Sequence, residues 1–228
     1  MSKILAIDTS NALCSAALSI DSRITLRFSD QERQHARRLL PMIAELLAEQ
    51  NQQLTALDVI AIVSGPGSFT GLRIGAGVAQ GLAFGSGVPV VGVSALEIIA
   101  MKAHRLYGES NLLVCMRARD DEVYSGAYCI RDRRAVLQRR EIVGAPQDQH
   151  FSGIDNNIAW FGVGDGWCYV DELGAGGAFS FNGCNEAAIV TDAAMLSELA
   201  GLTWQQEGGS APEFALPVYL KEQMDYQE

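Results

Sequence analysis

The sequence predicts a mixed α/β protein built from two lobes of related organisation. Three features support this prediction: apolar runs that alternate with helical periodicity, a glycine-rich turn directly after a continuous apolar run, and a second series of strand signals after Ser110. The chain has 228 residues, 48% of them hydrophobic and 19% charged. That is enough for one large domain or two small lobes with their own cores.

The first part of the chain is predicted to fold in the order β-β-β-α-β-α-β-α. Three runs at the start form a β-meander, and a later uninterrupted apolar run is typical of a buried parallel strand. The strand runs are Lys3–Ile7, Leu13–Ile20, Ile24–Phe28, Val59–Val63 and Val88–Val93. Helices are predicted over Glu32–Gln50, over about Gly71–Phe84 and after Ser94.

Local signals indicate where these helices begin and bend. Asp30 is a suitable N-cap for the first helix, because its carboxylate can accept a hydrogen bond from a free backbone amide. Pro41 is expected to kink that helix or to start its second half, since proline has no amide proton. Ser94 and Glu97 stand three residues apart, which predicts a capping box.

The second part repeats the strand signals more weakly. Strands are predicted over Leu112–Met116, Val123–Ile130 and Ala135–Val143, and a helix over about Asp192–Ala200 is expected to stop at Gly201. We expect a first lobe over 1–107, a smaller second lobe over 108–206 and a tail over 207–228. The glycine-rich stretch 174–185 has no assigned structure.

Charge and cysteine usage restrict the function classes. A net charge of -10 opposes tight binding of RNA by this chain alone, because such affinity comes largely from Lys and Arg replacing counterions. The five cysteines form no C-x-x-C pair, which favours a reducing cytoplasm over a disulfide framework or a zinc site. No export signal is expected. The uncharged stretch 74–96 contains six glycines and Pro89, so it predicts helix, turn and strand rather than a membrane span.

One basic concentration interrupts the acidic surface. Its seven arginines alternate with acidic residues, which predicts a solvated hairpin surface more than an RNA contact. The arginines are Arg117, Arg119, Arg131, Arg133, Arg134, Arg139 and Arg140.

The glycine-rich turn from Ser64 to Gly75 lies between a predicted buried strand and a predicted helix. Amides around Gly65, Gly67 and Ser68 could bind an anion, because glycines permit close approach and helix N-termini carry partial positive charge. The spacing matches neither a Walker A loop nor a dinucleotide fingerprint. A phosphate loop and a purely structural turn both stay open.

Five segments together resemble the TsaB (YeaZ) family, and the resemblance runs nearly end to end. The run from Gly65 to Gly75 is by far the most specific of them. The segments are Ile4–Ser10, His35 with Leu39–Pro41, Gly65–Gly75, Glu122–Tyr124 and Pro217–Leu220.

The resemblance implies a fold and a role. The fold is the two-lobed one of actin, heat-shock chaperones and sugar kinases (ribonuclease-H-like), with the C-terminal tail returning to the first lobe. The role is that of a non-catalytic scaffold that pairs with the transferase TsaD and the ATPase TsaE, while a TsaC-type enzyme makes threonylcarbamoyl-adenylate. No cofactor, metal or membrane contact is expected. tRNA would be contacted only through the complex, and a homodimer in the absence of the partner is left open.

One position departs from the family pattern. Family members commonly read Asp-Ala-Arg before Glu-Val-Tyr, whereas this chain has Arg117 in the place of the acid. In catalytic relatives an acid there helps hold a metal-nucleotide complex, so the change disfavours nucleotide processing. Asp120 or Asp121 could substitute only if the loop register shifts.

Two interpretations of Asp8-Thr9-Ser10 are open. The segment falls where the fold's first phosphate loop would lie, and Asp8 could bind magnesium through water. Alternatively, its side chains close a turn by hydrogen bonding to the backbone, which we favour because no lysine or second-lobe acid completes a site. Asp8, Thr9, Ser10, Gly65, Gly67 and Ser68 are thus candidates for a vestigial phosphate loop.

A rival hypothesis makes the chain an enzyme, either a glycoprotease-type peptidase or an ATP-dependent enzyme. The three histidines are scattered, no Gly-x-Ser-x-Gly elbow occurs, and Ser68 has no evident base. These observations disfavour the hypothesis.

A partner surface is predicted on the helix after the glycine turn. Gly77, Gly81 and Gly85 recur every four residues and fall on one stripe, flanked by Ile74 and Val78. Each glycine costs about 1 kcal/mol relative to alanine inside a helix, so the row suggests that another backbone approaches closely. That element could be TsaD or an internal one, such as the helix beginning at Ser94.

Overall fold

Two five-stranded sheets organise the chain, and each belongs to its own structural unit. The computed structural model describes residues 2–29, 34–149, 151, 153–174 and 179–220. Unit 1 comprises Met1–Ile98 and Thr191–Val218, and unit 2 comprises Ile99–Val190 and Tyr219–Glu228.

The described residues form ten strands and five α-helices. The strands are β1 (Lys3–Asp8), β2 (Cys14–Ile20), β3 (Arg23–Ser29), β4 (Val59–Gly65), β5 (Val90–Ser94), β6 (Asn111–Arg117), β7 (Val123–Arg131), β8 (Arg134–Gly144), β9 (Ala159–Val163) and β10 (Ser180–Asn185). The α-helices are α1 (His35–Glu49), α2 (Phe69–Ser86), α3 (Ala95–Tyr107), α4 (Val170–Gly174) and α5 (Ala193–Glu207).

Unit 1 has the sheet order β3-β2-β1-β4-β5. The first three strands form the predicted antiparallel meander, and β4 pairs parallel with both β1 and β5. Successive side chains of a strand point to opposite faces, so β1 contributes apolar side chains to the packing on both faces of the sheet. Leu5 and Ile7 pack with α1 and α2, while Ile4 lies near Gly201 of α5 on the other face.

Helix α1 buries one apolar stripe against the sheet. Its buried residues Leu39, Met42, Ile43 and Leu46 recur at the spacing of one helical face. Pro41 lies inside the helix at an exposed position. The helix begins after Gln34, which makes no side-chain capping bond, and the predicted cap Asp30 lies outside the described residues.

Helix α5 corrects two expectations. It continues past Gly201 to Glu207, because Gly201 is a close-packing position where an added Cβ would lie 3.1 Å from Ile4 Cδ1. It also packs on β1, β2, β4 and β5. Residues 191–206 therefore belong to unit 1, whereas the sequence analysis placed 108–206 in the second lobe. Asp192 is the N-cap of this helix, since its Oδ1 accepts a hydrogen bond from Met195 N at 2.8 Å.

The segment after α5 belongs to unit 1 as far as Val218, and unit 2 includes the chain from Tyr219 onward. Ser210 N donates to Val90 O at 2.8 Å and Val218 N donates to Ser64 O at 2.7 Å. These two bonds attach the chain to β5 and to the end of β4. The last part of the predicted tail, 221–228, lies outside the described residues.

Unit 2 repeats the connectivity of unit 1. Its order is β10-β9-β6-β7-β8, with β6, β7 and β8 antiparallel and β9 parallel to both β6 and β10. Trp160 and Trp167 are fully buried in its core. Neither β9 nor β10 was predicted. Half of the stretch 174–185 forms β10, and its residues 175–178 are not described.

The uncharged stretch 74–96 is divided among three elements, as predicted. It comprises most of α2, the turn at Gly87, strand β5 and the first residues of α3. Among the described residues, no helix is both long and apolar enough to span a membrane.

Candidate functional site

Two loops of unit 1 meet at one edge of its sheet. Because β1 and β4 are adjacent and parallel, the loops that follow them lie side by side. Ser68 N donates to Ser10 O at 2.7 Å, and Thr9 Oγ1 donates to Gly71 O at 2.7 Å. The structure therefore brings the candidates Asp8, Thr9 and Ser10 together with the glycine-rich turn.

The glycines of that turn are needed for packing against the chain itself. A Cβ on Gly67 would lie 2.5 Å from Ser10 O, and a Cβ on Gly71 would overlap the carbonyl oxygen of Thr9. Gly65 has a φ of 122°, and its Cβ would lie 2.9 Å from Val218 O. Backbone atoms of the chain itself thus fill the space beside these glycines.

Ser68 acts as the N-cap of α2. Its Oγ accepts a hydrogen bond from Gly71 N at 3.3 Å, which satisfies one of the free amides of the first helical turn. The amide of Ser68 itself is bonded to Ser10 O. Two of the donors that a phosphate would use therefore have partners within the chain.

Asp8 is fully buried at the end of β1. Its Oδ1 accepts hydrogen bonds from Ser10 N at 2.9 Å and Ser10 Oγ at 2.7 Å. Burial raises the pKa of Asp8, hydrogen bonds from Thr191 and Ser10 oppose the rise, and the charge of Asp192 adds to it. This arrangement is a turn closed by side-chain hydrogen bonds, the second of the two interpretations of the segment.

Three residues of this network were not among the candidate site residues. Asn11 Nδ2 donates to Thr191 Oγ1 at 2.7 Å, and Thr191 Oγ1 lies 3.0 Å from Ser10 Oγ. His35 Nε2 lies 3.0 Å from Asn11 O and joins the start of α1 to the same loop. His35 appeared only as part of the family pattern. Thr191 stands 181 positions from Ser10, and no local pattern marks it.

The glycine row of α2 lies on the exposed side of the helix. Gly77, Gly81 and Gly85 are all exposed, and no described atom lies within 4 Å of a Cβ built on any of them. Packing of the row by the helix after Ser94, the internal alternative, is therefore not observed. Each glycine leaves helix backbone open to approach from outside.

The row is bordered by half-buried side chains on one side and by exposed side chains on the other. Ile74 and Val78 are half-buried and pack against the core of unit 1. On the exposed side, Phe84 is 66% exposed, and it follows Gly81 by three residues, so it shares that face. The Arg73 guanidinium lies 3.7 Å from the centroid of the Phe69 ring at the other end. We define the glycine face as Arg73, Gly77, Gly81, Phe84 and Gly85.

Comparison with known proteins relates this chain to one family. Residues 29–154 match the family model "TsaD: tRNA N6-adenosine threonylcarbamoyltransferase". The chain is 35% identical to the "tRNA threonylcarbamoyladenosine biosynthesis protein TsaB" of Escherichia coli, over 96% of this chain and 94% of that protein. It is 33% identical to the protein of the same name from Haemophilus influenzae, over 99% and 96%. The chain belongs to the TsaB family.

Solved structures of the TsaB (YeaZ) family have the same fold. YeaZ from Pseudomonas aeruginosa is 40% identical, with a TM-score of 0.84 over 96% of this chain and all of that one. A second structure, described as an uncharacterized protein with similarity to peptidase YEAZ from the same organism, gives 0.86 at 40% identity. With the repeated sheet connectivity, these likenesses confirm the predicted fold class.

The position that departs from the TsaB pattern lies at the end of β6. Arg117 is exposed, and its backbone N donates to Asp165 Oδ1 at 2.9 Å. Asp120 and Asp121 occupy a turn with φ values of 57° and 58°. A carboxylate is therefore present at this strand end, but it comes from the segment after β9.

The described residues contain no group of three or more His, Cys, Asp or Glu side chains that could hold a metal ion. His35 and His104 each lie at a backbone carbonyl oxygen, of Asn11 and Glu109 respectively. His150 lies outside the described residues. All five cysteines are free.

The buried carboxyl of Asp8 predicts a pH dependence of stability. Since its pKa is raised, the folded chain binds this proton more tightly than the unfolded chain. The resulting stabilisation is present below the ordinary pKa of 3.8 and is lost as the pH rises through the folded pKa. The melting temperature of Asp8→Asn minus that of the wild type should therefore increase between about pH 4 and pH 8. Thermal melts across that range measure it.

The control is Asp120→Asn, which removes a carboxylate from an exposed turn. A difference for Asp8→Asn that does not change with pH would contradict the assignment.

Proposed function

We propose that this chain is the non-catalytic scaffold subunit of the machinery that forms threonylcarbamoyladenosine in tRNA, and that it pairs with a TsaD-like transferase. The similarity to TsaB proteins over nearly the full length of both chains carries the proposal. Those proteins are named for tRNA threonylcarbamoyladenosine biosynthesis. The match of residues 29–154 to the TsaD family model adds that this chain and the transferase share ancestry.

The loops of unit 1 support a scaffold role over catalysis. Asp8, the residue best placed to hold a magnesium-phosphate group, is buried and bonded to Ser10 and Thr191. In the adjacent turn, Gly67 packs against the backbone of Ser10 and Gly71 packs against the backbone of Thr9. An enzyme of this fold would need those loops open to a nucleotide, so we assign them to holding unit 1 together.

The glycine face is the proposed docking surface for the transferase. Each glycine of this exposed row lowers helix stability by about 1 kcal/mol relative to alanine. Within the described chain, no close packing requires a glycine at these three positions. Helices approach each other most closely over small residues, and Phe84 offers a large apolar side chain at the border of the row. Of the predicted interface residues, Gly77, Gly81 and Gly85 would contact the transferase. Ile74 and Val78 would contribute by packing the helix against the core of unit 1, which holds the glycine face in position.

The remaining partners follow from the same proposal. A TsaE-like ATPase would join the pair, tRNA would be held by the assembly, and all would act in the cytoplasm. The net charge of -10 is the reason to expect no micromolar tRNA binding by the chain alone. In the absence of the transferase, the same glycine face could pair with a second copy.

The rival hypothesis, an enzyme of its own, is tested by turnover. We expect the purified chain to hydrolyse neither ATP nor peptides above background, because Ser68 caps a helix and Asp8 is sequestered. Phosphate release and peptide cleavage are measured on the isolated chain, and co-purification with the transferase is measured in parallel. Turnover that survives purification and is lost in Asp8→Ala would contradict the scaffold role.

A further inference from the structure

The hairpin of β7 and β8, at the edge of the unit 2 sheet, carries five arginines. Strand β8 pairs only with β7 in the described sheet, so its other side is an open edge. The hairpin turn has left-handed φ values at Asp132 and Arg133, and it sets Arg131 opposite Arg134. Arg139 and Arg140 follow on the same strand. From Arg134 to Arg140 the strand spans about 20 Å. We define the arginine edge as Arg131, Arg133, Arg134, Arg139 and Arg140.

Arg139 has an unsatisfied donor in this structure. It is half-buried, and its Nη1 is buried with no hydrogen-bond partner among the described residues. Neither Arg139 nor Arg140 forms a salt bridge within the described part of the chain. Arg139 stands directly opposite Ala127, which belongs to the core of unit 2. The aliphatic part of the Arg139 side chain therefore lies on the core face of the edge strand.

The two neighbouring guanidinium groups also repel each other. Burial first, and then the charge of Arg140, lower the pKa of Arg139. A buried donor without a partner and an adjacent like charge both destabilise the chain on its own. An anion bound at this edge would offset the repulsion between the two positive charges, since guanidinium groups bind oxyanions with paired hydrogen bonds.

Protection of the sheet edge is a simpler explanation for part of this pattern. Charged side chains on an edge strand prevent pairing with other chains. That function needs exposed charges such as Arg131, Arg133 and Arg140. It does not need a half-buried arginine with an unpartnered nitrogen beside a second arginine, so edge protection leaves Arg139 unexplained.

We propose that the arginine edge binds phosphates of the tRNA backbone in the assembled complex. This inference rests on the proposed function, which supplies a polyanionic substrate. Guanidinium groups spread along a hairpin suit a chain of repeated phosphates better than a single carboxylate of a protein partner. In a chain with a net charge of -10, this local attraction is expected to act only when partner subunits also hold the tRNA.

The test uses the complex of the full chain with the transferase and ATPase subunits of the same organism. Affinity for unmodified tRNA is measured by fluorescence anisotropy over a range of KCl concentrations. The variant is Arg139→Gln with Arg140→Gln, and the matched control is Arg23→Gln with Arg37→Gln, two exposed arginines of unit 1. Size-exclusion chromatography and thermal melts confirm that each variant folds and assembles.

We expect the variant complex to bind tRNA about tenfold more weakly at low salt, and its slope of log affinity against log salt to fall by about 2. The control should match the wild type. Equal affinity and slope in variant and control would overturn the inference and leave the proposed function standing. Loss of assembly in the variant alone would show that the edge binds protein instead. A wild-type complex that neither assembles nor modifies tRNA would overturn both.

Discussion

Gly81→Leu is expected to abolish co-purification with the transferase while leaving the chain folded. No described atom lies within 4 Å of a Cβ at Gly81, so the new side chain would extend into open space. Leucine also favours the helix over glycine by roughly 0.5–1 kcal/mol. The same side chain would occupy the position that a partner backbone needs. Pull-down with the transferase and formation of the modified nucleoside measure the effect.

Gln205→Leu provides a matched control, because it places the same side chain on an exposed position of α5 in the same unit. It should bind and support modification like the wild type. Unfolding of Gly81→Leu would show that the row is required by the chain itself. A folded variant that still binds would remove the glycine face from the interface.

The same substitution at two glycines of α2 is expected to act in opposite directions. An alanine Cβ at Gly71 would overlap the carbonyl oxygen of Thr9. Thr9 lies in the loop whose next residue, Ser10, accepts a hydrogen bond from Ser68 N. We expect Gly71→Ala to destabilise unit 1 by about 3 kcal/mol, or roughly 10 °C in melting temperature.

Gly81→Ala should instead raise the melting temperature by about 2–4 °C, through helix propensity alone. The pair shares the mutation and the helix, and differs in what the Cβ meets. Thermal unfolding followed by circular dichroism measures both. A neutral Gly71→Ala would contradict the structural role assigned to the glycine-rich turn.

Strands and helices with strong local patterns were predictable from the sequence. The meander β1–β3, the buried strand β4 and the amphipathic helix α1 carry periodicity that specifies their type. Strand β10 is mostly exposed and contains Gly183, so it shows neither alternation nor an apolar run. Its existence depends on pairing with β9, which local sequence does not encode.

Long-range placement was the harder part. Glycine commonly ends helices, which is why the sequence predicts a stop at Gly201, but in the fold this glycine permits contact with Ile4, far away in the sequence. The assignment of α5 to unit 1 depends on the same contacts. A boundary drawn along the sequence could not represent a unit formed from two separate segments.

The candidate site shows the same division. The spacing of Gly77, Gly81 and Gly85 placed them on one face, and the structure shows that face to be exposed. The sequence analysis named Ile74 and Val78 as neighbours of the row, and Phe84 is a further, exposed neighbour that it did not name. Thr191, the first residue of the second segment of unit 1, bonds to the Asp8 loop through Ser10, and nothing in its local sequence indicates that role.

Reconstitution of the modification tests the scaffold role most directly. Unmodified tRNA, threonylcarbamoyl-adenylate, the transferase and the ATPase are combined with and without this chain, and the nucleosides are analysed by mass spectrometry. We predict that threonylcarbamoyladenosine forms over many turnovers only when the chain is present, and that Gly81→Leu behaves like its omission. Equal yields with and without the chain would contradict the proposed function.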